Sequence, residues 1–166
     1  IRLEQLLSDH NADCVAPCVT ACPAGIDIQA FLRQVGNGNH EAAVRVIKEH
    51  NPFPSICGRV CPHPCEVACR RNLVDEPVAI NAVKRFAADW DLARASAWVP
   101  RRAPATGKRV AVVGAGPSGL TAAYYSAVLG HEVTVFERQQ QPGGMMRYGI
   151  PAYRLSREVL DSEIDV

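Results

Sequence analysis

Thiol-bearing residues are concentrated in the first part of this chain. All seven cysteines lie between residues 14 and 69, in the runs CVAPCVTACP and CGRVCPHPCEVAC. They are Cys14, Cys18, Cys22, Cys57, Cys61, Cys65 and Cys69. Several thiolates in one short run, with prolines beside them, resemble the ligand runs of ferredoxin-type iron–sulfur proteins. The cysteines therefore predict an iron–sulfur site.

Two other roles for these cysteines are compatible with their spacing. Disulfides suit a small secreted domain, but the number of cysteines is odd and the charged start IRLEQLLSDH is unlike a signal peptide. Structural zinc uses similar spacings, and His63 lies between Cys61 and Cys65, although a solvated or supporting role is favoured for this histidine. Iron–sulfur chemistry is favoured over zinc because the glycine motif described next predicts a flavin in the same chain, which needs an electron partner, and zinc has no redox chemistry.

A glycine-rich turn carries the second chemical signal. Residues 110–138 predict a strand, a turn, a helix and a second strand, and the turn reads G-x-G-x-x-G with Gly114, Gly116 and Gly119. In order, these glycines permit a tight turn, close approach of a pyrophosphate and close packing of the helix on the strand. Glu137 ends the second strand, where a carboxylate binds ribose hydroxyls. The context favours dinucleotide binding over a glycine turn that serves packing alone.

The residues around and after this turn refine the prediction. Pro117 is tolerated in the first helical turn, and Ser118 either bonds a phosphate oxygen or caps the helix. The stretch after Glu137 resembles the ERxxxxGG continuation of flavoproteins whose first Rossmann unit holds FAD. The resemblance adds four candidate cofactor-binding residues: Arg138, Gly143, Gly144 and Arg147. Arg147 and Tyr148 either contact the flavin or only pack, and a nicotinamide cofactor at this first site is the alternative to FAD.

The distribution of these motifs predicts an α+β chain in two parts. Residues 1–97 are expected to form an α-helical, cysteine-rich [4Fe–4S] domain, residues 98–108 a linker, and residues 109–166 the first part of a Rossmann-like FAD-binding domain. One βαβ unit cannot complete a parallel sheet, so the expectation is a longer polypeptide or a partner chain that supplies the remaining strands.

Helical patterns support the assignment of the first part. Asp27 is placed to cap a helix that carries Ile28 and Phe31. Later, Phe86, Ala87 and Trp90 recur at helical spacing, which predicts a helix that begins near residue 77 and buries these side chains.

Composition excludes several classes of function. Lys and Arg number 18 against 17 Asp and Glu, so no basic excess indicates nucleic-acid binding. No uncharged run approaches the roughly 20 residues of a membrane span. No Ser–His–Asp set or paired carboxylates support hydrolysis. A cytoplasmic redox protein is the expectation.

The order of four segments resembles one known family. CVAPCVTACPAGIDIQAFL, NPFPSICGRVCPHPCEVACRR, DEPVAINAVKRFAADW and the glycine turn follow one another as in the small subunit of glutamate synthase, and the N-terminal part of dihydropyrimidine dehydrogenase is similar. The resemblance implies a helical domain with two [4Fe–4S] clusters, then an FAD domain, and an NAD(P)H domain outside these residues. It implies electron transfer between NAD(P)H, FAD and the clusters. The implied partner is a larger redox subunit of the glutamate synthase, hydrogenase or formate dehydrogenase type.

The same resemblance implies how the cysteines are shared. One cluster would take Cys14, Cys18 and Cys69, and the other would take Cys22, Cys61 and Cys65. Their fourth ligands stay open. Where the family often has a further cysteine, this chain has the run His10, Asn11, Ala12 and Asp13.

On the helix after Pro77, the position of a family Glu or Gln ligand corresponds to Lys84, which cannot coordinate while protonated. Cys57 is the substitute candidate. Two clusters are favoured over one. A different class of function, a zinc-stabilised docking module attached to a flavin-binding subunit, is the alternative.

Overall fold

The structure, a computed structural model, describes residues 15–166. It confirms the predicted architecture of a helical region followed by the start of a Rossmann-like fold. The described chain divides into two compact units, one that ends at Asp91 and one that spans Leu92–Val166. Within residues 15–166 no helix is both long and apolar enough to cross a membrane.

Short helices make up the first unit. They are α1 Pro17–Thr20, α2 Ile28–Gly36, α3 His40–Lys48, α4 Pro54–Val60, α5 Pro64–Val67, a 3₁₀ helix Arg70–Leu73, and α6 Ile80–Leu92, whose last residue falls in the second unit. Asp27 begins α2 as predicted, since its side chain accepts a hydrogen bond from the Ala30 N–H at 2.9 Å. Helices α2 and α3 pack together, and Phe31, Val44 and Ile47 are fully buried.

Ion pairs join α6 to the helices before it. The Lys48 ammonium, at the end of α3, lies 3.0 Å from the Asp91 carboxylate, and both side chains are at most 2% exposed. Arg59 on α4 lies 2.7 Å from Asp89, which also accepts a hydrogen bond from the Ser55 hydroxyl at 2.7 Å. These pairs fix α6 beside α3 and α4, and α4 carries Cys57, the first cysteine of the second run.

One part of the predicted core is wrong. Ala87 is buried as expected, but Phe86 is 50% exposed. Its ring meets the edge of His40 with centroids 5.2 Å apart, and His40 makes a similar contact with Trp90. Phe86 lies on the exposed side of α6, where the His40 ring covers only part of it.

The second unit contains the predicted βαβ unit. Strands β1 Arg109–Val113 and β2 Glu132–Phe136 are parallel, with Arg109 opposite Glu132 and Val113 opposite Phe136, and α7 Pro117–Val128 connects them. Helix α7 packs against both strands. Two further helices follow, α8 Met145–Tyr148 and α9 Arg157–Asp165.

Part of the predicted linker is attached to this βαβ unit. The Ala103 N–H donates to the Val128 carbonyl at 2.8 Å, and the Thr106 N–H donates to the Gly130 carbonyl at 3.0 Å. The domain boundary at residues 98–108 stays a prediction, but residues 103–106 are held by backbone hydrogen bonds to the end of α7.

Candidate functional site

Five of the six described cysteines fall into two sets of electrostatic neighbours, and Cys57 belongs to neither set. Helix α1 carries Cys18 and packs against α5, which carries Cys65. The Cys65 thiol interacts with the charges of Cys22 and Cys61, and the Cys18 thiol interacts with that of Cys69. The family resemblance implies the same division, and the assignment of cluster ligands stays a prediction. Cys14, with His10, Asn11 and Asp13, lies outside the described residues.

One thiol in each set, Cys65 and Cys18, lies where ionisation is opposed. Burial raises the pKa of the Cys65 thiol, and the nearby charges of Glu66, Cys22 and Cys61 raise it further. Burial likewise raises the pKa of Cys18. A metal centre would reverse this preference, because metal binding displaces thiol protons.

The state of these cysteines bears on the alternatives of disulfide and metal. All six described cysteines are free thiols, so disulfides are not formed among them. Within residues 15–166 no group of three or more His, Cys, Asp and Glu side chains is placed to hold a single metal ion. The donor set of grouped free thiols has the sulfur chemistry that iron–sulfur clusters require.

The turn between Cys61 and Cys65 has an unusual backbone. His63 adopts the left-handed region with φ 44° and ψ 58°, and in the described chain it is the one residue other than glycine with positive φ. Its N–H donates to the Cys61 sulfur at 3.3 Å. Its Nδ1 lies 3.1 Å from Glu66 Oε2, and Glu66 Oε1 accepts the Asn81 N–H at 2.8 Å. Neither Glu66 nor Asn81 was among the predicted site residues.

The candidates for a fourth ligand have different surroundings. The Cys57 thiol donates to Asn51 Oδ1 at 3.6 Å, and that oxygen also accepts the Phe53 N–H at 3.0 Å. Lys84 is buried, with 8% of its surface exposed. A ligand role for either residue stays a prediction.

In the second unit, the three motif glycines have distinct steric roles. Gly114 adopts φ 99°, a left-handed conformation that favours glycine. A Cβ on Gly119 would overlap the Gly114 carbonyl oxygen and lie 3.1 Å from its carbonyl carbon, so this glycine permits the packing of α7 on the turn. A Cβ on Gly116 would meet only the Gly144 Cα, at 3.8 Å. The open space beside Gly116, called the cradle below, is one that a ligand phosphate can enter.

The structure brings the later glycine pair against this turn. The Gly143 N–H donates to the Ala115 carbonyl at 2.7 Å. Gly144 has φ 48°, and a Cβ there would lie 2.7 Å from the Gly116 Cα. The two glycine segments therefore form one continuous backbone surface around the cradle.

Glu137 reaches the same turn. Its carboxylate accepts the Ala115 N–H at 2.7 Å through Oε2 and the Gln139 N–H at 2.7 Å through Oε1. These hydrogen bonds, from Gln139 first and then Ala115, hold the pKa of the Glu137 carboxyl below its usual range. The ionised carboxylate is thus fixed beside the cradle, where hydroxyl donors of a ribose would find an acceptor.

The remaining predicted cofactor residues differ in exposure. Pro117, Ser118 and Arg138 are exposed. Arg147 is buried, and its guanidinium donates to the Pro142 carbonyl, to Gln141 Oε1 at 3.0 Å and to the Asp161 carboxylate. These contacts favour the packing role over contact with a flavin.

Comparison with known proteins identifies the family. The family described as dihydropyrimidine dehydrogenase domain II, 4Fe-4S cluster, matches residues 8–96. The chain belongs to this family. Residues 112–161 match a second family, described as an NAD(P)-binding Rossmann-like domain. The zinc-stabilised docking module has no support, because the family that covers the cysteine segment is a 4Fe–4S family.

Curated relatives include subunits of several oxidoreductases. The chain is 41% identical over 171 residues to the NADP(+)-dependent formate dehydrogenase subunit beta of Moorella thermoacetica, covering 90% of this chain and 24% of the relative. It is 43% identical over 153 residues to the NADPH-Fe(3+) oxidoreductase subunit beta of Geobacter sulfurreducens, covering 91% of this chain and 23% of the relative.

A shorter relative shows the same similarity. The NAD-dependent dihydropyrimidine dehydrogenase subunit PreT of Salmonella typhimurium is 42% identical over 151 residues, which is 90% of this chain and 36% of the relative. The chain therefore spans between about a quarter and about a third of the length of these relatives.

Proposed function

We propose that this chain is the iron–sulfur and FAD-binding part of an NAD(P)H-linked electron-transfer subunit. The observation that carries the proposal is that one chain of the 4Fe–4S family contains both features: two sets of neighbouring thiols, and a glycine cradle with the Glu137 carboxylate held beside it. When bound, FAD accepts electrons in pairs and releases them singly, and iron–sulfur clusters carry them one at a time.

The thiol sets support an assignment of ligands. Cys22, Cys61 and Cys65 would hold one cluster, and Cys18 and Cys69 would hold the other together with Cys14. Cluster binding at Cys65 and Cys18 would release protons, since the raised pKa of these thiols keeps them protonated in the absence of metal. Cys57 and Lys84 are candidates for a fourth ligand.

The cradle supports FAD as the dinucleotide. Gly116 leaves room for a pyrophosphate beside the N-terminus of α7, whose free N–H groups bind anions. The Glu137 carboxylate accepts hydrogen bonds from ribose hydroxyls. The Gly143–Gly144 segment lies against the turn, as the resemblance to ERxxxxGG flavoproteins requires. The nicotinamide nucleotide would bind outside these residues.

The relatives support a larger assembly. Three of them are named as subunits, of a formate dehydrogenase, an NADPH-Fe(3+) oxidoreductase and a dihydropyrimidine dehydrogenase. We infer that the clusters exchange electrons with a partner redox subunit, in the cytoplasm.

Metal and flavin analysis of anaerobically purified protein tests the proposal. About eight iron and eight acid-labile sulfide per chain, with one FAD, are expected for two clusters and one flavin site. Cys61→Ser should remove about half of the iron and part of the broad visible absorption, while FAD is retained. Protein that carries neither iron nor FAD after reconstitution with both would refute the proposal.

A further inference from the structure

Glu66 connects the cysteine turn to the start of α6. Its two carboxylate oxygens bond to different segments: Oε2 to His63 Nδ1 at 3.1 Å and Oε1 to the Asn81 N–H at 2.8 Å. The Asn81 side chain in turn donates to the Gly58 carbonyl of α4 at 3.0 Å. One side chain thus ties the turn between Cys61 and Cys65 to two helices of the first unit.

The turn needs such a restraint because of its conformation. His63 has positive φ, which is unfavourable for a residue with a Cβ. It also precedes Pro64, and the proline ring opposes helical conformations of the residue before it. A residue held in this way persists only where its surroundings determine it. The imidazole bond to Glu66 and the Glu66 N–H bond to the His63 carbonyl at 3.0 Å provide that restraint.

The conformation has a consequence at sulfur. It directs the His63 N–H to Cys61 Sγ at 3.3 Å. Hydrogen bonds to cluster sulfurs stabilise the more negative, reduced form and so raise the reduction potential. We propose that Glu66 is a positioning residue that keeps this N–H···S bond in place and thereby sets the reduction potential of the centre bound by Cys22, Cys61 and Cys65. The inference deepens the proposed function and rests on it.

Two variants separate the bonds of Glu66 from its charge. Glu66→Ala and Glu66→Gln both remove the negative charge, and losing that charge alone raises the potential. Glutamine can still accept the Asn81 N–H through its carbonyl and donate its amide to the other tautomer of His63. Only the alanine variant removes the side-chain restraint on His63, while the Glu66 N–H bond to the His63 carbonyl is common to both variants. The difference between the two variants therefore measures positioning.

Redox titration of the holoprotein with dithionite and mediators, followed by EPR, is the experiment. The reduction potential of this centre is expected to be about 59 mV lower in Glu66→Ala than in Glu66→Gln, which corresponds to a tenfold change in the one-electron equilibrium constant. Cys61→Ser identifies which EPR signal belongs to this centre. The other cluster serves as the internal control, and its potential should be the same in both variants.

A third variant covers the case in which Glu66→Ala assembles poorly. Glycine adopts positive φ without penalty, so His63→Gly should restore the N–H···S bond in the absence of Glu66. The double variant His63→Gly/Glu66→Ala should regain the cluster and match the potential of Glu66→Gln.

Three results would overturn the inference: equal potentials in the Ala and Gln variants, equal shifts in both clusters, or no recovery in the double variant. Absence of any cluster in the unmodified protein would instead count against the proposed function.

Discussion

Gly119 offers a direct test of how closely α7 must approach the glycine turn. In Gly119→Ala, the new methyl group overlaps the Gly114 carbonyl oxygen and lies 3.1 Å from its carbonyl carbon and 3.3 Å from Val112 Cγ1. Two of these three neighbours are backbone atoms, so relief requires that α7 or the turn shift as a body. Overpacking of this kind costs about 1–3 kcal/mol.

The opposing term is small. Alanine is favoured over glycine inside a helix by about 0.8–1.0 kcal/mol. Because the methyl group overlaps backbone, the packing cost lies at the upper end of its range, and the net destabilisation is about 2 kcal/mol. The apparent Tm should fall by about 2–8 °C for each kcal/mol, depending on the size of the cooperative unit. Flavin should bind more weakly as well, because the shift moves the N–H groups that face the proposed pyrophosphate site.

Gly116→Ala is the matched control, one turn earlier in the same motif. Its methyl group meets only the Gly144 Cα at 3.8 Å, an ordinary contact, and its φ of −81° suits alanine. The apo protein should keep its Tm within about 1–4 °C, because surface changes away from tight contacts alter stability by less than about 0.5 kcal/mol. Flavin affinity should nonetheless fall at least tenfold, since the methyl group enters the cradle.

Thermal unfolding of the apo proteins and fluorescence titration with FAD give both quantities. Gly119→Ala should lose both stability and flavin affinity, whereas Gly116→Ala should lose flavin affinity alone. If Gly119→Ala unfolded at the temperature of the unmodified protein, the described packing of α7 on the turn would be wrong. If Gly116→Ala bound FAD with unchanged affinity, the cradle would not be the pyrophosphate site.

Three further outcomes are expected. Lys48→Met should destabilise the apo first unit by about 3–5 kcal/mol in urea unfolding, because the buried Asp91 carboxylate loses the Lys48 cation. The double variant Lys48→Met/Asp91→Leu should regain most of this stability. A double variant as unstable as the sum of the two single variants would contradict the prediction. Burial acts to raise the pKa of Asp89, but hydrogen bonds from Arg59 and Ser55 lower it on balance. The stability that these bonds contribute is present above the ordinary aspartate pKa of about 3.9 and is lost as pH falls below it. Asp89→Asn should therefore flatten the acid side of the curve of stability against pH, and an unchanged slope would refute this. Gly144→Ala should lower both Tm and FAD affinity, since it combines positive φ with a Cβ 2.7 Å from the Gly116 Cα; retained affinity would show that the later glycines do not shape the cradle.

The sequence predicted those features that depend on neighbours along the chain. Asp27 caps α2 because an aspartate side chain reaches an N–H only three residues away. The βαβ unit also follows from local patterns of β-branched residues and glycines. The grouping of Cys65 with Cys22 and Cys61 was implied by family resemblance and not by spacing.

Features that depend on contacts across long stretches of sequence were not predicted. The bond between Glu66 and the Asn81 N–H joins residues 15 apart, and neither residue type nor spacing signals it. Arg147 was considered a cofactor contact, but its inward orientation depends on Asp161 in α9. Phe86 fits a helical apolar pattern, yet how much of its ring is covered depends on His40 in another helix.

The hydrogen bonds of residues 103–106 affect how the dinucleotide-binding unit can be moved between proteins. Gly130 ends α7, but it also leaves room for the segment before β1, because a Cβ there would lie 3.0 Å from the Ala103 carbonyl oxygen. A segment with no regular secondary structure is therefore part of the folded module. A fusion protein in which this unit begins at Arg109 would expose the end of α7. One in which it begins near Leu92 would keep residues 103–106, which cover that end.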